Sequence, residues 1–93
     1  MGAIFISFTT RKDPKPVFEG LRRQAECEHG HGGYTGSWAE VDGVKTSSLV
    51  FDTKDQAEEH CIENTDKWGP ALAVKFRDEK GEERWFVGAF AAI

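Results

Sequence analysis

Along the first ten residues Ile4, Ile6 and Phe8 alternate with Ala3, Phe5 and Ser7, the period-2 pattern of a strand, and Asp13-Pro14-Lys15-Pro16 stops it. From Pro16 to about Glu28 the period lengthens. Phe18, Leu21 and Ala25 with Val17 form an apolar stripe at helical spacing, while Glu19 can pair with Arg22 or Arg23 on the wet side. Tyr34–Asp42 and Val44–Phe51 read as strands on either side of Asp42-Gly43, a dipeptide that suits a tight hairpin. Thr53 followed by Gln56 is a capping-box pattern for a helix from Lys54 to Glu63, with Ala57, Cys61 and Ile62 as its apolar stripe. Residues 64–70 form a loop. Leu72, Val74 and Phe76 then alternate with Ala71, Ala73 and Lys75, and Asp78-Glu79-Lys80-Gly81 turns the chain into a last strand from Arg84 to Ala92.

The order βαββαβ plus one C-terminal antiparallel strand predicts an α+β sandwich of ferredoxin-like type, a single domain over residues 1–93, with both helices on one face of the sheet. Ile4, Ile6 and Phe8 with Leu72, Val74 and Phe76 are expected to face those helices. The other face is then partly open and apolar, which predicts pairing of sheets in a homodimer or the docking of a partner.

The chain has 93 residues, a formal net charge of −4 and seven Phe beside three Trp, so its core is small and aromatic. Its basic residues are scattered, and the acidic balance speaks against nucleic acid as the main partner. An RNA-recognition module is disfavoured further, because the last two strands lack the basic-glycine-aromatic pattern of such domains. No stretch is long and apolar enough to span a membrane, and the first residues read as a strand rather than an export signal. Cys27 and Cys61 fall in helical segments, so both are expected to be reduced and the protein cytoplasmic.

Chemistry concentrates between His29 and Ser37, where four glycines accompany two histidines and two hydroxyls. Consecutive glycines can turn several N–H groups toward an anion, and His31, Tyr34, Thr35 and Ser37 add donors or a stacking ring. Tyr34, Gly36 and Trp38 share one face of the expected strand, with Gly36 as a gap between two rings; a bulge at Gly36 is the structural alternative. Gly30 suits the left-handed close of the first helix. The candidate ligand-binding set is His31, Gly32, Gly33, Tyr34, Thr35, Gly36 and Ser37, joined by Lys67 and Trp68 from the exposed Lys67-Trp68-Gly69-Pro70 loop. A small anionic or nucleotide-like ligand, or a host protein, is the expected partner.

Catalytic and metal patterns are incomplete. Cys27, His29, His31, His60 and Cys61 could ligate zinc, but they lack paired C-x-x-C or H-x-x-x-H spacing, so no metal or other cofactor is expected. Cys61 with His60 diverge around a helix, and Glu58-Glu59 and Glu82-Glu83 read as solvated faces. A hydrolase or transferase using His31 with Ser37 or Glu40 is the enzymatic alternative to a non-catalytic binding protein.

Gly32-Gly33-Tyr34-Thr35-Gly36-Ser37 before Ala39-Glu40, with Asp66-Lys67-Trp68-Gly69-Pro70-Ala71 some way after, resembles segments of small bacteriophage and bacterial proteins. Those carry Gly-Tyr-x-Gly-Thr/Ser-x-Ala-Glu and a later Lys-Trp-Gly-Pro in chains of similar length; Trp38 stands here where they have an aliphatic residue. The resemblance brings no activity with it. It implies a small accessory protein, phage or prophage in type, whose two motifs lie together in space.

Overall fold

The computed structural model describes residues 2–29, 37–38, 41–65 and 69–92. Its elements run β1 (Ala3–Thr10), α1 (Pro14–His29), β2 (Val44–Phe51), α2 (Lys54–Asn64), β3 (Ala71–Arg77) and β4 (Glu83–Ala92). The result is an α+β fold with a four-stranded mixed sheet and two helices. Strand order is β1-β4-β3-β2; β4 is antiparallel to both β1 and β3, while β2 lies parallel to β3.

This departs from the ferredoxin-like expectation in two ways. First, the helices lie on opposite faces. The register aligns Phe8, Val87 and Ala73 on one face and Ser7, Gly88 and Leu72 on the other. Phe18 of α1 packs with Ala71, Ala73, Val87 and Ala89, joined by Ile6 and Phe8. Ala57 and Cys61 of α2 pack with Val74, Phe76 and Phe86, joined by Phe5 and Leu72. Ile6 and Phe8 therefore face one helix and Leu72, Val74 and Phe76 the other, because β3 and β4 are apolar on both sides and each side is covered. The sheet face expected to be partly open thus has a helix packed on it.

Second, Asp42-Gly43 does not make a hairpin. A type I′ turn needs positive φ at both central residues, and the positive-φ glycine of the described residues is Gly81 (φ 77°). Instead the Gly43 carbonyl accepts the Ala71 N–H (2.7 Å), and this starts the parallel β2–β3 ladder. Of the strand expected over 34–42, the described residues 37, 38, 41 and 42 are not in a strand, and the others lie outside the described residues.

The local signals elsewhere hold. Helix α1 begins at Pro14 rather than Pro16, with Asp13 Oδ1 accepting the Lys15 N–H (3.1 Å). Phe18 and Ala25 are buried as expected. The expected Gly30 cap lies outside the described residues. Thr53 caps α2 by accepting the Gln56 N–H at 3.2 Å, and Gln56 Oε1 returns the bond to the Asp52 N–H at 3.2 Å. Ala57 and Cys61 are fully buried, but Ile62, expected in the same stripe, is 44% exposed one step round the helix. The β3–β4 hairpin turns at Asp78–Glu82, where Gly81 donates to the Asp78 carbonyl (2.9 Å).

Candidate functional site

Of the residues singled out for binding, His31, Gly32, Gly33, Tyr34, Thr35, Gly36, Lys67 and Trp68 lie outside the described residues, as does Glu40. Ser37 is half-buried. Its neighbour Trp38 packs edge-on against Phe8 (5.1 Å between ring centroids) and Phe18 (5.9 Å), and Val41 is 1% exposed in the same cluster. Trp38 is thus a core residue of the α1 side.

The second predicted loop leads to a recognisable feature. Pro70, at its end, lines a cleft of about 430 Å³ between the last turn of α2 and strand β2. The cleft exists because β2 does not follow β3 evenly. Between Thr46 and Val50 the strand advances four residues while β3 advances from Ala73 to Lys75, so β2 bulges outward. This carries Ser47 away from the ladder. Lys45, paired with Leu72 on the α2 face, reaches over the same space from the strand.

Helix α2 supplies the opposite wall through His60, Asn64 and Thr65. Asn64 Nδ2 donates to the His60 carbonyl (2.9 Å) and lies 3.3 Å from His60 Nδ1, while the His60 ring rests against Phe51 (5.1 Å). The Thr65 N–H closes the helix on the Cys61 carbonyl (3.0 Å). Two carbonyls of the helix end are therefore satisfied. The Thr65 hydroxyl is not: the residue is 9% exposed, and its Oγ1 is buried with no hydrogen-bond partner among the described residues. Such a group costs about 1–3 kcal/mol unless something pairs with it.

A larger cleft, of about 500 Å³, sits at the C-terminal ends of β2 and β3 and the start of α2. Three of its polar side chains, Thr53, Asp78 and Arg84, are already engaged. Asp78 accepts from Arg84 Nε (2.8 Å) and from the amides of Lys80 (2.9 Å) and Glu82 (3.0 Å), and these bonds, the Glu82 amide first, hold its carboxyl below the ordinary range. Thr53 is spent on its cap.

Nucleophilic chemistry at Cys61 is not supported by its setting. Burial, aided by the Glu58 carboxylate, pushes the thiol up to about 11 against a partial offset from the Gly88 backbone, and Sγ points at the Leu72 carbonyl (3.5 Å). His60, beside it in sequence, lines the outer cleft instead. Among the described residues no group of three or more His, Cys, Asp or Glu is placed to hold a metal ion. No described helix is long and apolar enough to cross a membrane.

Sequence reading missed Lys45, His60, Asn64 and Thr65 as a group. The available signal was Thr46-Ser47-Ser48, a polar run that breaks strand alternation just before Leu49 and Val50. No family model matches the chain, and neither a curated protein nor a solved structure matches it.

Proposed function

We propose that this chain is a small non-catalytic binding protein of accessory, phage or prophage type, acting in the cytoplasm, and that its ligand is a small polar molecule seated between α2 and the β2 bulge. The observation that carries the reading is a cleft of about 430 Å³ lined by the polar residues Lys45, Ser47, His60 and Asn64, within the usual range of about 300–1,000 Å³ for a small ligand. The sequence motifs support the accessory role, and Pro70 ties this cleft to the Lys67–Pro70 segment. Binding is favoured over catalysis because the adjacent His60 and the buried Cys61 are turned to different environments.

The test is thermal melting of the full chain with a panel of anionic, cationic and neutral metabolites, nucleotides included. A ligand at a hundred times its Kd adds about 2.7 kcal/mol and raises Tm. The rise is expected to be lost in Asn64→Ala. No rise with any compound, or one indifferent to Asn64, would reject the reading.

A second reading, docking of a protein along the β2 edge, is favoured by Leu49 and Val50, which are 46% and 45% exposed beside the bulge.

A further inference from the structure

Asp42-Gly43 is the one pair in the chain in which glycine follows an aspartate or asparagine, and the hairpin that its composition suggests is not formed. The fold leaves it instead as an exposed aspartate in backbone that is neither helix nor strand, between two fixed points. On one side Val41 is 1% exposed in the buried cluster that includes Phe18, and its N–H is held by the Trp38 carbonyl at 3.2 Å. On the other the Gly43 carbonyl accepts the Ala71 N–H at 2.7 Å. Between them, neither the Asp42 carboxyl nor the Gly43 N–H is hydrogen-bonded or paired among the described residues, and a Cβ at Gly43 would meet nothing within 4 Å.

The backbone nitrogen of the next residue is the nucleophile that can attack an aspartate's own carboxyl, and glycine leaves that nitrogen least hindered and its backbone freest to turn. The other described aspartates are guarded. Asp13 precedes Pro14, whose nitrogen carries no proton. Asp55 precedes Gln56, whose N–H is bound by Thr53 Oγ1 (3.2 Å). Asp78 accepts from Arg84 and from two amides, and Asp52 precedes the stiff, β-branched Thr53.

We propose that Asp42-Gly43 is a site of spontaneous isomerisation whose product loosens the start of the β2–β3 ladder. The Gly43 nitrogen loses its proton and bonds to Asp42 Cγ, one carboxyl oxygen leaves as water, and a cyclic imide results. Water then adds back. Cleavage of the nitrogen's bond to the side-chain carbonyl restores aspartate; cleavage of its bond to the main-chain carbonyl leaves the chain running through the former side chain, an isoaspartyl link with a free α-carboxylate. The water released balances the water consumed, so no oxidant or other co-reactant enters. The link adds one methylene to the main chain between Val41 and Gly43, and because Val41 is fixed in the core the Gly43–Ala71 bond is the contact that gives way. The free α-carboxylate is the group that an isoaspartyl methyltransferase esterifies, which makes such an enzyme the class of partner this site would meet.

The experiment holds the full-length chain at neutral pH and body temperature for weeks, beside a free peptide of residues 41–45, and then digests it with trypsin. Residues 24–45 form one tryptic peptide with Asp42 as its single aspartate. Isoaspartate is read as a product of unchanged mass that an isoaspartyl methyltransferase labels from S-adenosylmethionine. The folded chain is expected to accumulate label in that peptide before any other. The label should fall severalfold with Gly43→Ala, which the open space at Gly43 accepts, and be lost with Asp42→Glu, whose longer side chain must close a larger ring. Amide exchange at Ala71 should be severalfold faster in the converted chain than in the unconverted one. Label in the free peptide alone, label arising first at another aspartate, or conversion that leaves Ala71 exchange unchanged would overturn the proposal.

Discussion

The ring of Phe5 occupies the space in which Gly88 would carry a side chain: a Cβ at Gly88 would lie 2.5 Å from Phe5 Cζ and 3.0 Å from Cys61 Cβ. Phe5 on the edge strand thereby reaches over β4, stacking at 6.5 Å on Phe86 and edge-on at 5.3 Å to Phe90, and meets α2. A glycine in the middle of a strand weakens it unless something gains from the gap. Here the gain is contact between three elements.

Gly88→Ala is therefore expected to destabilise the protein by about 1–3 kcal/mol through overpacking, read as a lower denaturation midpoint. Phe5→Leu removes the ring from the crowded space, so the alanine should cost less in that background. Equal costs in both backgrounds would show that Phe5 and Gly88 are not coupled.

The two cysteines should behave oppositely. Cys27 is exposed and Cys61 buried, with its thiol held up to about 11 by burial. At pH 8 a thiol reagent is expected to modify one cysteine quickly in the native protein and the second only in denaturant. Because the native thiol titrates above the ordinary value of 9.0, the unfolded state releases its proton first as pH rises. Stability should accordingly fall between about pH 9 and 11, and Cys61→Ser should lack that part of the decline.

Helices, caps and the β3–β4 hairpin were legible because their causes are local: Thr53 and Gln56 are three residues apart, and Asp78 and Gly81 form one turn. The sheet was less legible for a physical reason. Ala71 and Ala73 are small enough to accept Phe18 and Trp38 on one side while Leu72, Val74 and Phe76 serve α2, and alternation alone does not say that both sides are covered. Asp42-Gly43 has hairpin composition, but tertiary pairing of Gly43 with Ala71 overrides it. The α2–β2 cleft depends on a bulge defined only against β3; the polar run Thr46-Ser47-Ser48 marks its place in the sequence but not its shape.

Asp78 should give the hairpin a pH signature. Its native carboxyl titrates below the ordinary aspartate value of 3.8, with the Glu82 amide, Arg84 and the Lys80 amide favouring the ionised form. A depressed native value stabilises the fold above the unfolded value, and the effect is lost as pH falls through the native one. Asp78→Asn is thus expected to lower the urea midpoint near neutral pH, with the deficit shrinking below about pH 4. A deficit that is constant down to pH 2 would mean that the contribution is not tied to ionisation.

Thr65→Val tests whether the buried hydroxyl is without a partner. The substitution keeps the shape of the side chain and deletes a buried hydroxyl with no partner, so the free protein should gain up to about 1 kcal/mol, visible as a rise in Tm. Thr65 ends α2 through its backbone, and its N–H bond to Cys61 is retained by valine. If Val instead destabilises, the hydroxyl has a partner inside the protein.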